Sequence, residues 1–379
     1  FNLFVLFMFS LYEEQMRSKS NLYPRARNGR GAPSNAVPQR FNLHDREIDG
    51  DWLDERDRID DAAKLRTEVT IEFPKSIINY NSSPDLPFDR SINAYRGCEH
   101  GCIYCYARPT HAYHDLSPGL DFESKLFAKP NAADLLRQTF AKPNYQPASL
   151  AIGTNTDPYQ PIEKTYRITR QILEVMLETR HPVVITTKSN RVLEDIDVLA
   201  SLAELNLTAV AISVTSLDPK TARLLEPRAP APARRLEAVR MLSQAGIHAH
   251  VNIAPVVPGI TDHEIEAIVA AAAARGARSI SFIPMRLPHE VAPLFEQWLE
   301  SHYPERKAKV MSIIRQMRGG RRNDPQFHSR MRGQGPWAEL IRTRLNIAAR
   351  KAGMKKSKLK LRTDLFRRPL IRGSQLEMF

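Results

Sequence analysis

Residues 149–189 read SLAIGTNTDPYQPIEKTYRITRQILEVMLETRHPVVITTKS, and they hold the unit from which the fold is built. SLAIGT (149–154) and PVVITTKS (182–189) are short apolar runs of strand type. Between them, the apolar residues of ITRQILEVMLETR (168–180) recur at three and four, the period of a helix with one buried face. The rhythm extends both ways. SINAYRG (91–97) is a strand and NAADLLRQTF (131–140) its helix; VLEDIDVLASLAEL (192–205) is helical and AVAISVTS (209–216) a strand. PARRLEAVRMLSQAG (232–246) carries Pro near its start and Gly246 just past its end, the asymmetry expected of a helix. HVNIAPVV (250–257) is the fifth strand. Thr261 and Glu264 predict a capping box that opens EIEAIVAAAAARG (264–276). SISFIPM (279–285) and EVAPLFEQWLESHY (290–303) complete a sixth pair. Six apolar strands alternating with helices imply an α/β fold with a parallel sheet buried on both faces. Repeated right-handed crossovers wind such a sheet into a partial (β/α)6 TIM-like barrel; a doubly wound open sheet shares the same periodicity. In either case chemistry belongs at the C-terminal ends of the strands.

The surroundings fit a globular chain. Of 379 residues, 42% are hydrophobic and 26% charged, and 27 Pro with 16 Gly exclude a collagen-like or low-complexity composition. Three cysteines cannot build a disulfide framework, which points to a reducing, cytoplasmic compartment. The apolar run Phe1 to Leu11 falls short of the roughly 20 residues of a membrane span and lacks a signal peptide's basic start, so no membrane partner is expected. Met8 and Met16 are candidate starts, and residues 1–15 are left out of the fold reading. The expected organisation is a flexible or irregular N-terminal arm (1–87), a core barrel (88–304) and a basic helical C-terminal extension (305–379). Within the arm, residues 16–48 are rich in Arg, Asn, Gly and Pro and read as a flexible basic segment, and 68–92 read as extended and irregular.

Charge is unevenly placed. The net charge is +13, yet 306–372 holds 21 Lys and Arg against Asp324, Glu339 and Asp364. That segment is +18 and the rest of the chain −5. Such a block suits either a polyanion, reached through released counterions, or a solvated tail. Arg318, Arg321, Arg322, Arg330 and Arg332 form a fork-rich set suited to phosphate. Ile341, Leu345 and Ala348 make a stripe by which the last helix docks on the barrel, with Trp337 as a packing anchor. KKSKLKLR (355–362) reads as a surface strand or a disordered tail.

All three cysteines lie in GCEHGCIYCY (97–106), directly after the first strand: Cys98, Cys102 and Cys105, spaced C-x3-C-x2-C. Three thiolates suit an iron–sulfur cluster, and in a four-iron cluster they leave one iron open. A structural zinc would need a fourth ligand, which His100, His111 or His114 could supply. No second cysteine knuckle exists. For His100, solvent exposure is expected, and for His111 and His114, local hydrogen bonding or exposure.

At these residues the sequence resembles the radical SAM superfamily, whose pattern is C-x3-C-x-aromatic-C, with Tyr104 in the aromatic position. SINAYRGCEHGCIYCYARPTHAY, TKS and SVTSLD are similar to its spore-photoproduct-lyase-like branch, and RQMRGGRRNDPQF and MRGQGPWAEL extend the likeness. The resemblance covers about residues 88–300 and implies a six-unit partial barrel, a [4Fe-4S] cluster, S-adenosylmethionine and a flavodoxin- or ferredoxin-like electron donor. The open iron would chelate the cofactor's amino and carboxylate groups, and reductive cleavage would release a 5′-deoxyadenosyl radical that abstracts a substrate hydrogen. It places the cluster on Cys98, Cys102 and Cys105, and cofactor contacts at Tyr104, Thr156, Asp157, Lys188 and Ser213. Beside this stand plainer roles: an Asx-type turn for Asp157 before Pro158, a solvated strand-end lysine for Lys188, and an ion pair for Glu226 and Arg228. Asn252 is a weaker candidate. The branch's hydrogen-donor cysteine would fall at Asn155-Thr156-Asp157, so no thiol relay is available, nor an auxiliary cysteine-held cluster. Tyr106 and Tyr159 are the candidate hydrogen relays. The resulting expectation is a radical SAM enzyme acting on nucleic acid through 306–372. The alternatives are a small-molecule or peptide substrate, or a non-catalytic metal-bearing nucleic-acid-binding protein.

Overall fold

A computed structural model describes residues 29–35, 65–354 and 359–370. The apolar start, most of the basic arm and part of KKSKLKLR lie outside the described residues. In chain order come β1 (Glu68–Ile71), β2 (Ile78–Tyr80), β3 (Arg90–Ile92), β4 (Tyr95–Arg96), β5 (Lys125–Ala128) and α1 (Ala132–Phe140). Next are β6 (Leu150–Ile152), α2 (Ile168–Glu178), β7 (Val183–Thr187), α3 (Ile196–Glu204), β8 (Thr208–Ser213) and α4 (Pro232–Gln244). Then follow β9 (His248–Val256), α5 (Ile265–Ala273), β10 (Ser279–Pro284), α6 (Val291–His302), α7 (Pro304–Met317) and α8 (Gly335–Lys351), with shorter helical turns between elements.

The main sheet has the order β10-β9-β8-β7-β6-β3-β2. From β3 to β10 neighbours are parallel, and β2 closes the edge antiparallel to β3. Each parallel strand is followed by its helix, as the rhythm of the sequence requires. The first strand differs: Arg90–Ile92 joins this sheet, while Tyr95–Arg96 turns away to pair with β5 in a second sheet ordered β1-β5-β4. Residues 68–92, read as irregular, thus contain three strands, each too short to show a period. The expected capping box is absent. Thr261 Oγ1 accepts from Val257 N, and Glu264 turns to Ser216 and Leu217, so the helix start has no side-chain cap.

The two faces of the sheet differ in kind. Ile92, Leu150, Ile152, Val183, Ile185, Val210, Ile212, Val251 and Ile253 enter the main core with the helices. On the other face the register aligns Ser91, Ala151, Val184, Thr186, Ala209, Ala211 and Ser213 with His248, His250 and Asn252. Strands β3, β6 and β8 are buried on both faces, and on the second face Val184, Thr186, His248, His250 and Asn252 of β7 and β9 are half-buried. One face is apolar and covered by helices; the other is lined with small and polar side chains.

A second core joins α6 and α7 through Trp298, Phe295, Val310, Ile314 and Met317, and it takes in Cys102, Ile103 and Tyr104. The expected boundary at 304/305 falls inside this shared core. Ile341 and Leu345 of α8 bury in the main core with Ala348 against it, and Trp337 packs on both cores while Nε1 donates to Asp262, 3.3 Å. Residues 359–370 are docked: Arg362 N donates to Asn206 O, Arg367 N to Thr179 O, and the Phe366 ring stands edge-on to Phe140 and His181. Those anchors lie in the turns that enter β7 and β8, at the end of the sheet remote from the cysteines.

Candidate metal and cofactor site

The cysteine loop begins at Gly97, whose φ of 71° and whose contact with Phe122 O leave no room for a Cβ. Cys98 N donates to Phe122 O (2.9 Å), and Ile103 N to Leu225 O (3.1 Å). Gln160 spans the loop, accepting from Glu99 N and donating to Gly97 O. Arg108, fully buried, donates to the carbonyls of Cys102 (2.9 Å) and Gly101 (3.1 Å) and pairs with Glu123 at 2.5 Å. Glu123 also accepts Gly31 N (3.0 Å) and Ala32 N (2.8 Å), and Arg30 donates to Glu123 O (2.6 Å). A Cβ on Gly31 would overlap the Gly101 carbonyl oxygen. Residues 29–35, read as part of a flexible arm, are thus strapped across the loop.

Cys98 and Cys102 are buried and Cys105 is more open. Burial raises the Cys98 thiol well above its usual value, helped by Asp157 and Cys102, and pushes Cys102 up to about 12. Without metal both remain thiols at neutral pH; a bound cation inverts that preference. Among the described residues no three His, Cys, Asp or Glu side chains converge on one point. Three thiolates on three irons of a cluster need no such convergence, whereas a tetrahedral zinc does. The histidines offered as a fourth zinc ligand are engaged elsewhere. His111 Nε2 meets Lys125 O at 2.8 Å, and His114 lies over Phe127. His100, expected in solvent, is buried with Nδ1 at 3.2 Å from Asp157 Oδ2, because a buried carboxylate draws it inward.

The strand ends behind the loop carry the other candidates. Asp157 accepts from Thr187 Oγ1 (2.6 Å), Lys188 N (2.7 Å) and Tyr159 N (3.0 Å). Burial opposes its charge, yet His100 and these donors hold it at about 2. It is the predicted Asx turn and a hub between strand ends. Thr156 Oγ1 donates to Tyr95 O, and Asn93 Oδ1 accepts from Asn155 N and Thr156 N. Lys188, half-buried, places its ammonium 5.8 Å from the Tyr104 ring centroid and has no hydrogen-bond partner for it among the described residues. Burial works against its charge, but Cys102 and Glu226 nearby hold it above the usual lysine value. Tyr104 donates to Glu226, which accepts from Thr215 (2.7 Å) and pairs with Arg235. Burial likewise opposes the Glu226 charge, and Arg235 with Lys188 holds it at about 2. Arg228 pairs with Glu99 (3.0 Å) rather than Glu226. Ser213 faces Asn252 across the strand pair, its hydroxyl unbonded among the described residues. Asn252 Oδ1 accepts from Ser281 Oγ (2.5 Å), and His250 Nε2 lies 2.9 Å away.

Other expectations fail on geometry. Tyr159 is buried in the helix-covered core with its phenol on Asp195 (2.9 Å), turned from the loop, and so is no hydrogen relay. Tyr106 stays at the rim, 48% exposed, donating to Thr154 O. The arginine set is dispersed. Arg318 is buried against the Pro284 and Met285 carbonyls, Arg330 pairs with Asp85 (2.5 Å), and Arg322 with Glu296 (3.0 Å). Arg321, Arg322 and Arg332 are exposed, and of these only Arg322 has an ion-pair partner among the described residues. Asn93, Gln160, Arg108, Glu123, Arg30 and Gly31 escaped sequence reading; Asn93, polar inside SINAYRG, was the one visible signal.

No helix among the described residues is long and apolar enough to cross a membrane. Residues 92–272 match the Radical SAM superfamily. A protein of Mycobacterium tuberculosis is 34% identical over 232 residues, covering 61% of this chain and 68% of the relative. One of Methanocaldococcus jannaschii is 28% identical over 215 residues, covering 56% and 76%. A point mutant of spore photoproduct lyase shares the fold, with a TM-score of 0.53 at 15% identity over 75% of this chain and 79% of that one. With three thiols on the loop that follows the first strand of a parallel sheet, these likenesses agree: the chain belongs to the radical SAM superfamily, whose members use a [4Fe-4S] cluster and S-adenosylmethionine.

Proposed function

We propose that this chain is a radical SAM enzyme in which Cys98, Cys102 and Cys105 hold the cluster and the small, polar face of a sheet curved as a partial (β/α)6 barrel receives cofactor and substrate. The observation that carries the reading is the pairing, at one rim, of three thiols with the Lys188 ammonium, which has no hydrogen-bond partner among the described residues. When bound, the cluster and S-adenosylmethionine supply a 5′-deoxyadenosyl radical by one-electron cleavage of the sulfonium. Lys188 receives the cofactor carboxylate, and the Tyr104 ring, fixed by Glu226, forms a wall beside it. Ser213 offers a hydroxyl from β8 that is unbonded among the described residues. Thr156 and Asp157 shape the site by fixing the strand-end loops, since their side chains already bind Tyr95 O, Thr187, Lys188 N and His100. Small residues at Ala209 and Ala211 leave volume for the ligands, and the loop excludes water from the buried thiols. Cys105, the most open of the three, faces the approach of a flavodoxin- or ferredoxin-like reductant, and Tyr106 is the remaining candidate for hydrogen transfer.

The test is anaerobic reduction with S-adenosylmethionine and mass spectrometry for 5′-deoxyadenosine. Product from the intact chain and none from Cys98→Ala is expected. An iron-loaded chain that binds the cofactor yet yields no 5′-deoxyadenosine, with or without candidate substrates, overturns it. A nucleic-acid substrate is the second reading, favoured by the +18 segment and by exposed Arg321 and Arg332. It predicts binding of single-stranded DNA that weakens with salt at a slope of about −0.7 per phosphate neutralised. Affinity indifferent to salt, or to loss of those two arginines, contradicts it.

A further inference from the structure

Arginines near the cysteine loop are almost all consumed by partners. Arg108 binds Glu123, Arg235 binds Glu226, Arg228 binds Glu99, Arg330 binds Asp85, and Arg318 binds main-chain carbonyls. Arg286 is the departure. It follows β10, at the end of the sheet where the cysteines lie, and is half-buried. Its guanidinium sits 4.9 Å from the ring centroid of Tyr106, the residue after Cys105. Its one polar contact among the described residues is Met331 Sδ at 3.9 Å, a weak acceptor.

The charges around it leave a positive excess. Arg330 and Arg318 stand on the same side, and Asp85, the facing carboxylate, already takes Arg330, Ser83 lying beside it. Burial and Arg330 lower the Arg286 pKa, and Asp85, already paired with Arg330, offsets that cost only in part. A guanidinium held by a cation–π contact spends none of its N–H donors on a polar acceptor there, and those donors match the two oxygens of a carboxylate or phosphate. Tyr106 in turn is fixed by its bond to Thr154 O, so Arg286, Tyr106 and Thr154 bridge from β10 to the end of β6. This bridge joins the C-terminal ends of β6 and β10 beside Cys105, the end of the sheet at which the polar face meets the cysteine loop.

We propose that Arg286 is a substrate anchor: it binds an oxyanion, phosphate or carboxylate, of the molecule brought to the mouth of this site. The inference rests on the radical SAM reading for the word substrate, but the anion site does not need the cluster. Arginine labelling of the full chain with phenylglyoxal, read residue by residue by mass spectrometry, tests it in metal-free and cluster-reconstituted protein. Arg286 is labelled without anion, and saturating inorganic phosphate or acetate slows that labelling about tenfold while exposed Arg321 reacts unchanged. Protection by phosphate alone assigns a phosphorylated ligand; equal protection by acetate assigns a carboxylate. No labelling of Arg286, or labelling that neither anion slows more than at Arg321, overturns the proposal. Protection in a chain that yields no 5′-deoxyadenosine when loaded keeps the anion site and sinks the radical reading instead.

Discussion

Two buried titrating side chains should move stability with opposite signs. Glu163 accepts from Tyr95 and from Thr169 N, and burial raises it to about 7. Its folded value lies above its unfolded one, so its contribution is present below about pH 4.5 and is lost as pH rises through about 7. His181, packed on Phe140 with Tyr145 at 2.8 Å, is depressed by burial to about 3. Its contribution is present above about 6.5 and is lost as pH falls toward 3, at up to roughly 1.4 kcal/mol per pH unit. Urea unfolding from pH 4 to 8 reads both: Glu163→Gln should flatten the alkaline side and His181→Phe the acid side. Identical pH profiles for variants and parent contradict these assignments. At Glu226 the pair with Arg235 is wholly buried, so Glu226→Gln should cost about 3–5 kcal/mol by leaving a guanidinium uncompensated. A loss below 1 kcal/mol, on the scale of a surface pair, would contradict that. Residues of this kind differ in legibility. The cysteines declare themselves because three fall within eight positions, and Asp157 and Lys188 because they interrupt apolar strand ends. Asn93 shows only as a polar residue inside SINAYRG, and Gln160 and Glu123 not at all, because their partners lie about 60 to 90 positions away and only the fold brings them together.

Among the elements, the strap at 29–35 makes the sharpest demand. Gly31→Ala pushes a Cβ into the Gly101 carbonyl, and the loop that carries Cys102 must yield or release the strap. Iron retained per chain after anaerobic reconstitution should fall, with proteolysis near residue 35 becoming faster. Ala32→Gly, which keeps the amide bonded to Glu123, should behave as the parent. Full iron content in Gly31→Ala would show that the strap does not position the loop. The βα units were readable because each strand is β-branched and each helix amphipathic over its own length. The strap was not, since a short Gly- and Pro-containing stretch has no period, and main-chain amides bound to Glu123 hold it beside the small buried side chain of Ala32. Nor could the capping box be trusted: Glu264 finds Ser216 and Leu217, 47 to 48 positions away, and tertiary partners outbid the local one. The same limit hid the split of the first strand, where Asn93 leaves the sheet to hold the loop after β6.

For the molecule as a whole, the basic segment was legible as charge but not as geometry. Of its five clustered arginines, Arg318 and Arg330 are clamped within the fold and Arg322 pairs with Glu296 at the surface, and 359–370 docks where the chain enters β7 and β8, away from the cysteines. Phe366→Ala should therefore cost about 1–3 kcal/mol in thermal or urea unfolding while leaving iron content unchanged. Loss of iron in that variant would join two ends that the sheet holds apart. The measurement that bears most directly on the radical SAM site is iron and acid-labile sulfide analysis of anaerobically prepared protein, with paramagnetic resonance of the reduced form before and after S-adenosylmethionine. About four irons and four sulfides per chain, lost in Cys98→Ala, with a spectrum that shifts on adding the cofactor, are expected. Stoichiometric zinc without sulfide, or a cluster whose spectrum ignores S-adenosylmethionine, would contradict an open iron held by Cys98, Cys102 and Cys105.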